Sequence, residues 1–139
     1  MSRTISRGSR LHVANERELS IQAIRDPRGW LVIHLMLPLI PRTRWRLDVM
    51  LNSGRPQSVI SRTSRDRLVV LDLLRHESGD RYRLAGAEAD GQPLPDFPLR
   101  LSAGPALLGV EGMLGLDFFD QFVRVCLDTD PLLLTLLPR

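Results

Sequence analysis

The sequence contains no lysine, and all 19 of its basic residues are arginine. Its single cysteine, Cys126, cannot form a disulfide within the chain, and it favours a reducing, cytoplasmic location. No apolar run approaches the roughly 20 residues that a membrane helix requires, and no secretory signal follows the basic first residues. These absences exclude a disulfide scaffold and favour a protein that works away from the membrane.

Chemical groups for several kinds of site are also missing. The three histidines, His12, His34 and His76, are far apart in the chain and lack the spacing of metal ligands. No glycine-rich phosphate loop is present. The basic N-terminal residues carry no interleaved aromatics and no nucleic-acid-binding motif, so nucleic acid is disfavoured as a partner. We therefore expect no metal and no cofactor.

Charge is distributed unevenly along the chain. Residues 1–70 hold 13 arginines against 5 acidic residues, whereas residues 71–139 hold 6 arginines against 11 acidic residues. Such polarity can steer an acidic partner or favour head-to-tail association, although arginine as a generic surface cation explains it more simply. Charge alone therefore does not identify a partner.

The length and composition are those of one folded domain. The chain has 139 residues, of which 43% are hydrophobic and 25% are charged. Residues 1–28 are polar and arginine-rich and are predicted to be an N-terminal extension. A turn signal at 26–29 then opens a folded domain over residues 29–139.

Short apolar segments separated by turn residues predict an all-β fold. Residues 45–51 alternate between apolar and polar side chains, whereas residues 30–37 are apolar on both faces. Ser61 to Arg67 begins with capping residues and is predicted to hold a helical turn. Leu74 to Leu94 contains two hairpin turn signals, at Ser78-Gly79 and at Asp90-Gly91.

Two motifs in order carry the most information about function. The first is Asn52-Ser53-Gly54, between an apolar strand and Ser58-Val59-Ile60. The second is Met113-Leu114-Gly115, followed by the amphipathic stretch 117–122. Together they resemble the retropepsin-like aspartic protease family over residues 29–137, with Asn52 in place of the catalytic aspartate.

The resemblance implies a closed-barrel-like, all-β fold with a flap hairpin within residues 74–94 and one short C-terminal helix near residues 117–122. It also implies a homodimer in which each chain supplies one carboxylate and the two together cut an extended peptide. Ser53 would brace the two loops across the dimer, and Gly54 would allow the tight turn. Met113, Leu114 and Gly115 would pack beside this loop.

The sequence departs from the family at the position that matters most for the chemistry. An asparagine amide has no proton to give or take near neutral pH, so a symmetric dimer would lack the general base. Three interpretations stay open: a degenerate domain that still binds peptide, an active peptidase whose natural residue 52 is aspartate, and an arginine-rich structural or nucleic-acid-associated module. A heterodimer whose partner supplies one carboxylate is a further alternative to the homodimer.

Arg55 is a second departure, because the family usually has a small residue there. Its guanidinium would favour an anionic ligand in the cleft, unless the side chain points into solvent. Asp117 is predicted to cap the short helix, and Asp48 is predicted to be solvated on the outer face of its strand.

Overall fold

The computed structural model describes residues 18–40, 43–102 and 110–139 and shows a mostly β protein with two helices. The strands are β1 (Leu19–Gln22), β2 (Ile24–Arg25), β3 (Leu31–Ile40), β4 (Thr43–Leu51), β5 (Val59–Ile60), β6 (Leu74–Ser78), β7 (Arg81–Leu84), β8 (Glu88–Ala89), β9 (Gln92–Pro93), β10 (Phe97–Leu101), β11 (Gly112–Leu114), β12 (Phe122–Thr129) and β13 (Leu132–Pro138). The helices are α1 (Arg62–Val70) and α2 (Leu116–Phe119). The all-β class predicted from the sequence is confirmed.

The strands form two sheets. The larger one curls into a half-barrel in the order β6-β7-β10-β5-β11-β4-β3-β8-β9, with β2 also paired to β3. The smaller one has the order β1-β13-β12. Parallel pairing occurs between β4 and β11 and between β5 and β10.

The predicted alternation along β4 sets the two faces of the larger sheet. Leu47 and Val49 are buried in the main core, whereas Asp48 between them is only partly buried. Met50 lies on the same face of β4 as Asp48 and belongs to a separate apolar cluster. A strand with side chains alternating between its faces therefore contributes to both apolar clusters.

Part of the predicted N-terminal extension packs into the fold. Strand β1 pairs with β13 in antiparallel register, and Ile21 and Ala23 are buried in the main core. Residues 1–17 of the predicted extension lie outside the described residues.

Helix α1 is longer than the helical turn predicted for this segment. The side chain of Ser61 caps it by accepting the N–H of Ser64 at 3.2 Å, as its capping residues predicted. Leu68 is fully buried and anchors the helix against the core. Neither α1 nor α2 is long and apolar enough to cross a membrane.

Two hairpins occupy the segment predicted to contain the flap. Strands β6 and β7 meet at Gly79-Asp80, and β8 and β9 meet at Asp90-Gly91, where both residues have positive φ. The second tip is fastened to β1, because the Asp90 carboxylate accepts the N–H of Gln22 at 2.7 Å. Gln92 also exchanges two hydrogen bonds with the backbone of Ser20.

Candidate functional site

Asn52 follows the last residue of β4 and is half-buried. Its backbone N–H donates to the carbonyl of Leu114 at 2.9 Å. Its side-chain Oδ1 accepts the N–H of Gly54 at 3.0 Å, and its Nδ2 donates to Sδ of Met113 at 3.4 Å. The amide oxygen therefore closes the turn within its own loop, and the amide nitrogen faces the second motif.

Strand β11 passes between the two strands that the Asn52 loop connects. It runs parallel to β4, with Met113 beside Met50, and antiparallel to β5, with Met113 beside Val59. The loop of residues 52–58 therefore crosses the end of β11. This threading brings the two motifs together although Asn52 and Met113 are 61 residues apart.

Gly115 lies where the loop and the start of α2 touch. A Cβ atom at this position would lie 2.8 Å from the carbonyl oxygens of both Arg55 and Gln57. The N–H of Leu116 donates to the Arg55 carbonyl at 2.8 Å, and the N–H of Asp117 donates to the Pro56 carbonyl at 3.1 Å. Only glycine allows this approach of two backbones.

A buried serine and a carboxylate fasten the same loop from the other side. Ser58 is fully buried, and its hydroxyl accepts the N–H of Gly115 at 2.8 Å. The Asp117 carboxylate accepts both the Ser58 N–H, at 2.9 Å, and the Ser58 hydroxyl, at 2.5 Å. The prediction that Asp117 caps α2 is wrong, because Gly115 occupies the capping position and the carboxylate binds Ser58 instead.

This serine–carboxylate contact gives a prediction about stability. Replacing Asp117 with alanine removes the carboxylate that accepts both Ser58 donors, and a buried donor without an acceptor costs about 1–3 kcal/mol. We expect the free energy of unfolding to fall by that amount in urea denaturation. Asp120→Ala is the matched control because the Asp120 side chain is exposed. Equal free energies of unfolding for the two variants would show that the Ser58–Asp117 contact does not stabilise the loop of residues 52–58.

The remaining residues of the first motif lie on the outside of the loop. Ser53, Gly54 and Arg55 are all exposed. The structure gives the Ser53 hydroxyl and the Arg55 guanidinium no hydrogen-bond partner among the described residues. Both groups are free to meet a ligand or a second chain.

An apolar cluster distinct from the main core adjoins the Asn52 amide. Met113, whose sulfur accepts the amide N–H, belongs to this cluster. The other members are Val32, Met50, Val59 and Val110, with Trp30 packed against them at the edge. The amide therefore lies between a polar turn and a buried apolar cluster.

Asp48 is paired, contrary to the prediction that it is solvated. Its carboxylate accepts from His34 Nδ1 at 2.6 Å and from Arg46 Nη2 at 3.3 Å. Glu111, just before β11, accepts the backbone N–H of Asp48 at 2.9 Å and so ties β11 to β4. Within residues 18–40, 43–102 and 110–139, no group of three His, Cys, Asp or Glu side chains could hold a metal ion.

Comparison with known proteins supports the fold. The crystal structure of a retropepsin-like aspartic protease from Rickettsia conorii matches this chain with a TM-score of 0.54 at 16% identity, over 86% of this chain and 89% of that chain. No protein-family profile and no curated protein matches the sequence. The chain therefore has the retropepsin-like fold, with a second helix, α1, beside the short C-terminal helix that was predicted.

Proposed function

We propose that this chain is a retropepsin-like domain that has lost peptidase chemistry at Asn52 and binds extended peptides as a homodimer. The observation that carries the proposal is the amide at the end of β4, held by Gly54 and Met113 in a loop that is otherwise complete. The threading of β11, the close approach at Gly115 and the retropepsin-like fold support the same assignment.

The chemistry of the amide explains the loss of cleavage. Peptide hydrolysis by a carboxyl pair requires one ionised group to activate water and one protonated group to donate to the scissile carbonyl. An amide can donate a hydrogen bond, but it cannot take a proton from water near neutral pH. Two chains with Asn52 would therefore orient a peptide without cutting it.

The surroundings of Asn52 suit an extended peptide. Asn52 is half-buried and is followed by the exposed residues Ser53 to Arg55, so a ligand can reach this loop. An extended ligand gains affinity from backbone hydrogen bonds and specificity from pockets for alternate side chains. One chain supplies half of such a cleft, and the exposed Ser53 hydroxyl is available to brace a second copy.

Incubation with a peptide library between about pH 4 and 7 tests the proposal. We expect the protein to retain a subset of peptides, with about one peptide per two chains from the symmetry of a dimeric cleft. Mass spectrometry should find the retained peptides uncut, and sedimentation should find dimers in the same samples. Cleavage by protein whose Asn52 amide is shown to be intact would overturn the proposal, as would a monomer that retains no peptide.

One observation favours an active peptidase as the second candidate. An aspartate at position 52 would keep the hydrogen bond from the Gly54 N–H, so the loop geometry is equally suited to a carboxylate. This candidate requires that the natural protein has aspartate at position 52. Sequencing the natural gene separates the two candidates directly.

A further inference from the structure

The outer face of the sheet formed by β6, β7 and β10 carries a concentration of arginines. Arg75 lies opposite Arg83 across β6 and β7, and Arg81 lies opposite Arg100 across β7 and β10. Tyr82 and Leu84, which alternate with the arginines of β7, are buried. We call Arg75, Arg81, Arg83 and Arg100 the arginine face.

Folding does not explain this arrangement. Like charges directly opposite each other on neighbouring strands destabilise a sheet. Arg83 is paired with Glu77 at 2.9 Å and Arg100 with Asp80 at 3.1 Å. No carboxylate of the described residues pairs with Arg75 or Arg81, so two guanidinium groups on this face are available to an anion.

The lowered pKa of Glu77 shows that Arg75, Arg81 and Arg83 all lie near its carboxyl group. The hydrogen bond from Arg83 holds the pKa of the Glu77 carboxyl below its usual value, and the charges of Arg81 and Arg75 lower that pKa further. Glu77 therefore stays ionised and neutralises Arg83, while Arg75 and Arg81 keep an excess of positive charge.

Strand β6 adds a backbone edge to this surface. It ends the larger sheet, and its residues after Leu74 are all exposed. Among the described residues, no strand pairs with its outer edge. Such an edge presents unpaired N–H and C=O groups to which an extended segment can bond.

The opposite face of β6 borders an open cleft against α1. The cleft has a volume of about 470 Å³ and is lined by Arg65, Asp66, Val69, Val70, His76 and Tyr82. Val70 is 83% exposed and Val69 is 40% exposed, so this apolar surface lacks a cover among the described residues. Arg65 of α1 donates a hydrogen bond to the Tyr82 hydroxyl of β7 at 2.5 Å and so links the two sides of the cleft.

We propose that the free edge of β6 binds an extended acidic and apolar segment of another protein. Side chains of a strand alternate between its two faces, with about 7 Å between neighbours on one face. Carboxylates on one face of the added strand would reach Arg75 and Arg81, and apolar side chains on the other face would enter the α1 cleft. In the larger sheet four strands lie between β6 and β4, the strand that Asn52 follows, so the proposal does not depend on the proposed function.

We place the occupant on another protein because the charges of the residues outside the described ranges do not complement the arginine face. Residues 1–17 carry four arginines and one glutamate, and residues 103–109 carry no charge. Nucleic acid fits less well, because Glu77 and Asp80 interrupt the arginine face, and the rings of Tyr82 and His76 lie on the cleft side.

Fluorescence anisotropy of the full chain with a labelled peptide of alternating valine and glutamate tests the proposal. We expect saturable binding that Arg75→Glu and Arg81→Glu each weaken by about tenfold, because each change places like charges together. Arg124→Glu, at an exposed position on β12, makes the same charge change elsewhere and should leave binding unchanged. Val70→Glu should also weaken binding, whereas Val123→Glu, at a 59% exposed position on β12, should not.

Two further measurements separate binding from folding. Arg75→Glu replaces a like-charge pair with an opposite-charge pair facing Arg83, so its melting temperature should stay the same or rise while binding falls. A peptide with methylated backbone amides keeps its charges but cannot pair with β6, and it should not bind. Equal binding of the methylated peptide would overturn strand addition. Binding of a nucleic acid duplex but not the peptide, or of neither probe, would overturn the acidic segment as the ligand.

Discussion

Replacing Asn52 with aspartate should give a protein that cleaves peptides, with a rate at least about 10²–10⁴-fold above that of the unchanged chain. The change restores the general base and the proton that two facing chains would share. The loop should accept it, because Oδ1 keeps the hydrogen bond from the Gly54 N–H. The second carboxylate oxygen would take the place of Nδ2 and would lose only a weak contact to the Met113 sulfur.

The pH dependence of this variant provides a second readout. Two carboxyl groups in contact cannot both ionise easily, so the pair gains activity as one group ionises and loses it as the second group follows. We expect a bell-shaped rate profile on the acidic side of neutrality. The unchanged chain should show no activity at any pH in the same assay.

Asn52→Ala is the matched control, because it changes the same position without adding a carboxyl group. It should remain inactive and should be less stable, since the Gly54 N–H loses its acceptor. If Asn52→Asp stays dimeric but does not cleave, the loss of chemistry extends beyond this position. Arg55 is then the next residue to change, because its exposed guanidinium lies three positions further along the same loop.

Patterns within single segments predicted much of the fold. Alternation identified β4, and capping residues located the start of α1. In contrast, the segment that forms β1 was predicted only as part of the N-terminal extension. Its place in the core depends on Ile21 and Ala23, and two buried side chains are too few to produce a recognisable period.

The parts of the candidate site that depend on contacts between distant segments were harder to predict from the sequence. The resemblance to a known family placed Asn52 beside Met113, whereas no local pattern links them. The Ser58–Asp117 contact was missed because a polar residue before a strand and an acid at a helix start each have an ordinary local interpretation. Their link becomes visible only once β11 is placed between β4 and β5.

The close approach at Gly115 leads to the largest expected effect on stability. In Gly115→Ala the new methyl group would lie 2.8 Å from two loop carbonyl oxygens, and these backbone atoms cannot swing aside as a side chain can. Forcing atoms into a packed site costs about 1–3 kcal/mol, and we expect the upper end here because the loop also bonds to Leu116 and Asp117. Chemical denaturation of the full chain measures the loss.

The matched control for Gly115 is Gly79→Ala, in the tip between β6 and β7. Gly79 has a positive φ of 51° but open space around a Cβ, so its replacement carries backbone strain without a collision. We expect Gly115→Ala to cost more than Gly79→Ala, and to abolish the activity that Asn52→Asp confers when the two changes are combined. Equal costs, or full activity of the combined variant, would mean that the loop can move away from α2. The position of residue 52 would then not depend on the Gly115 contact.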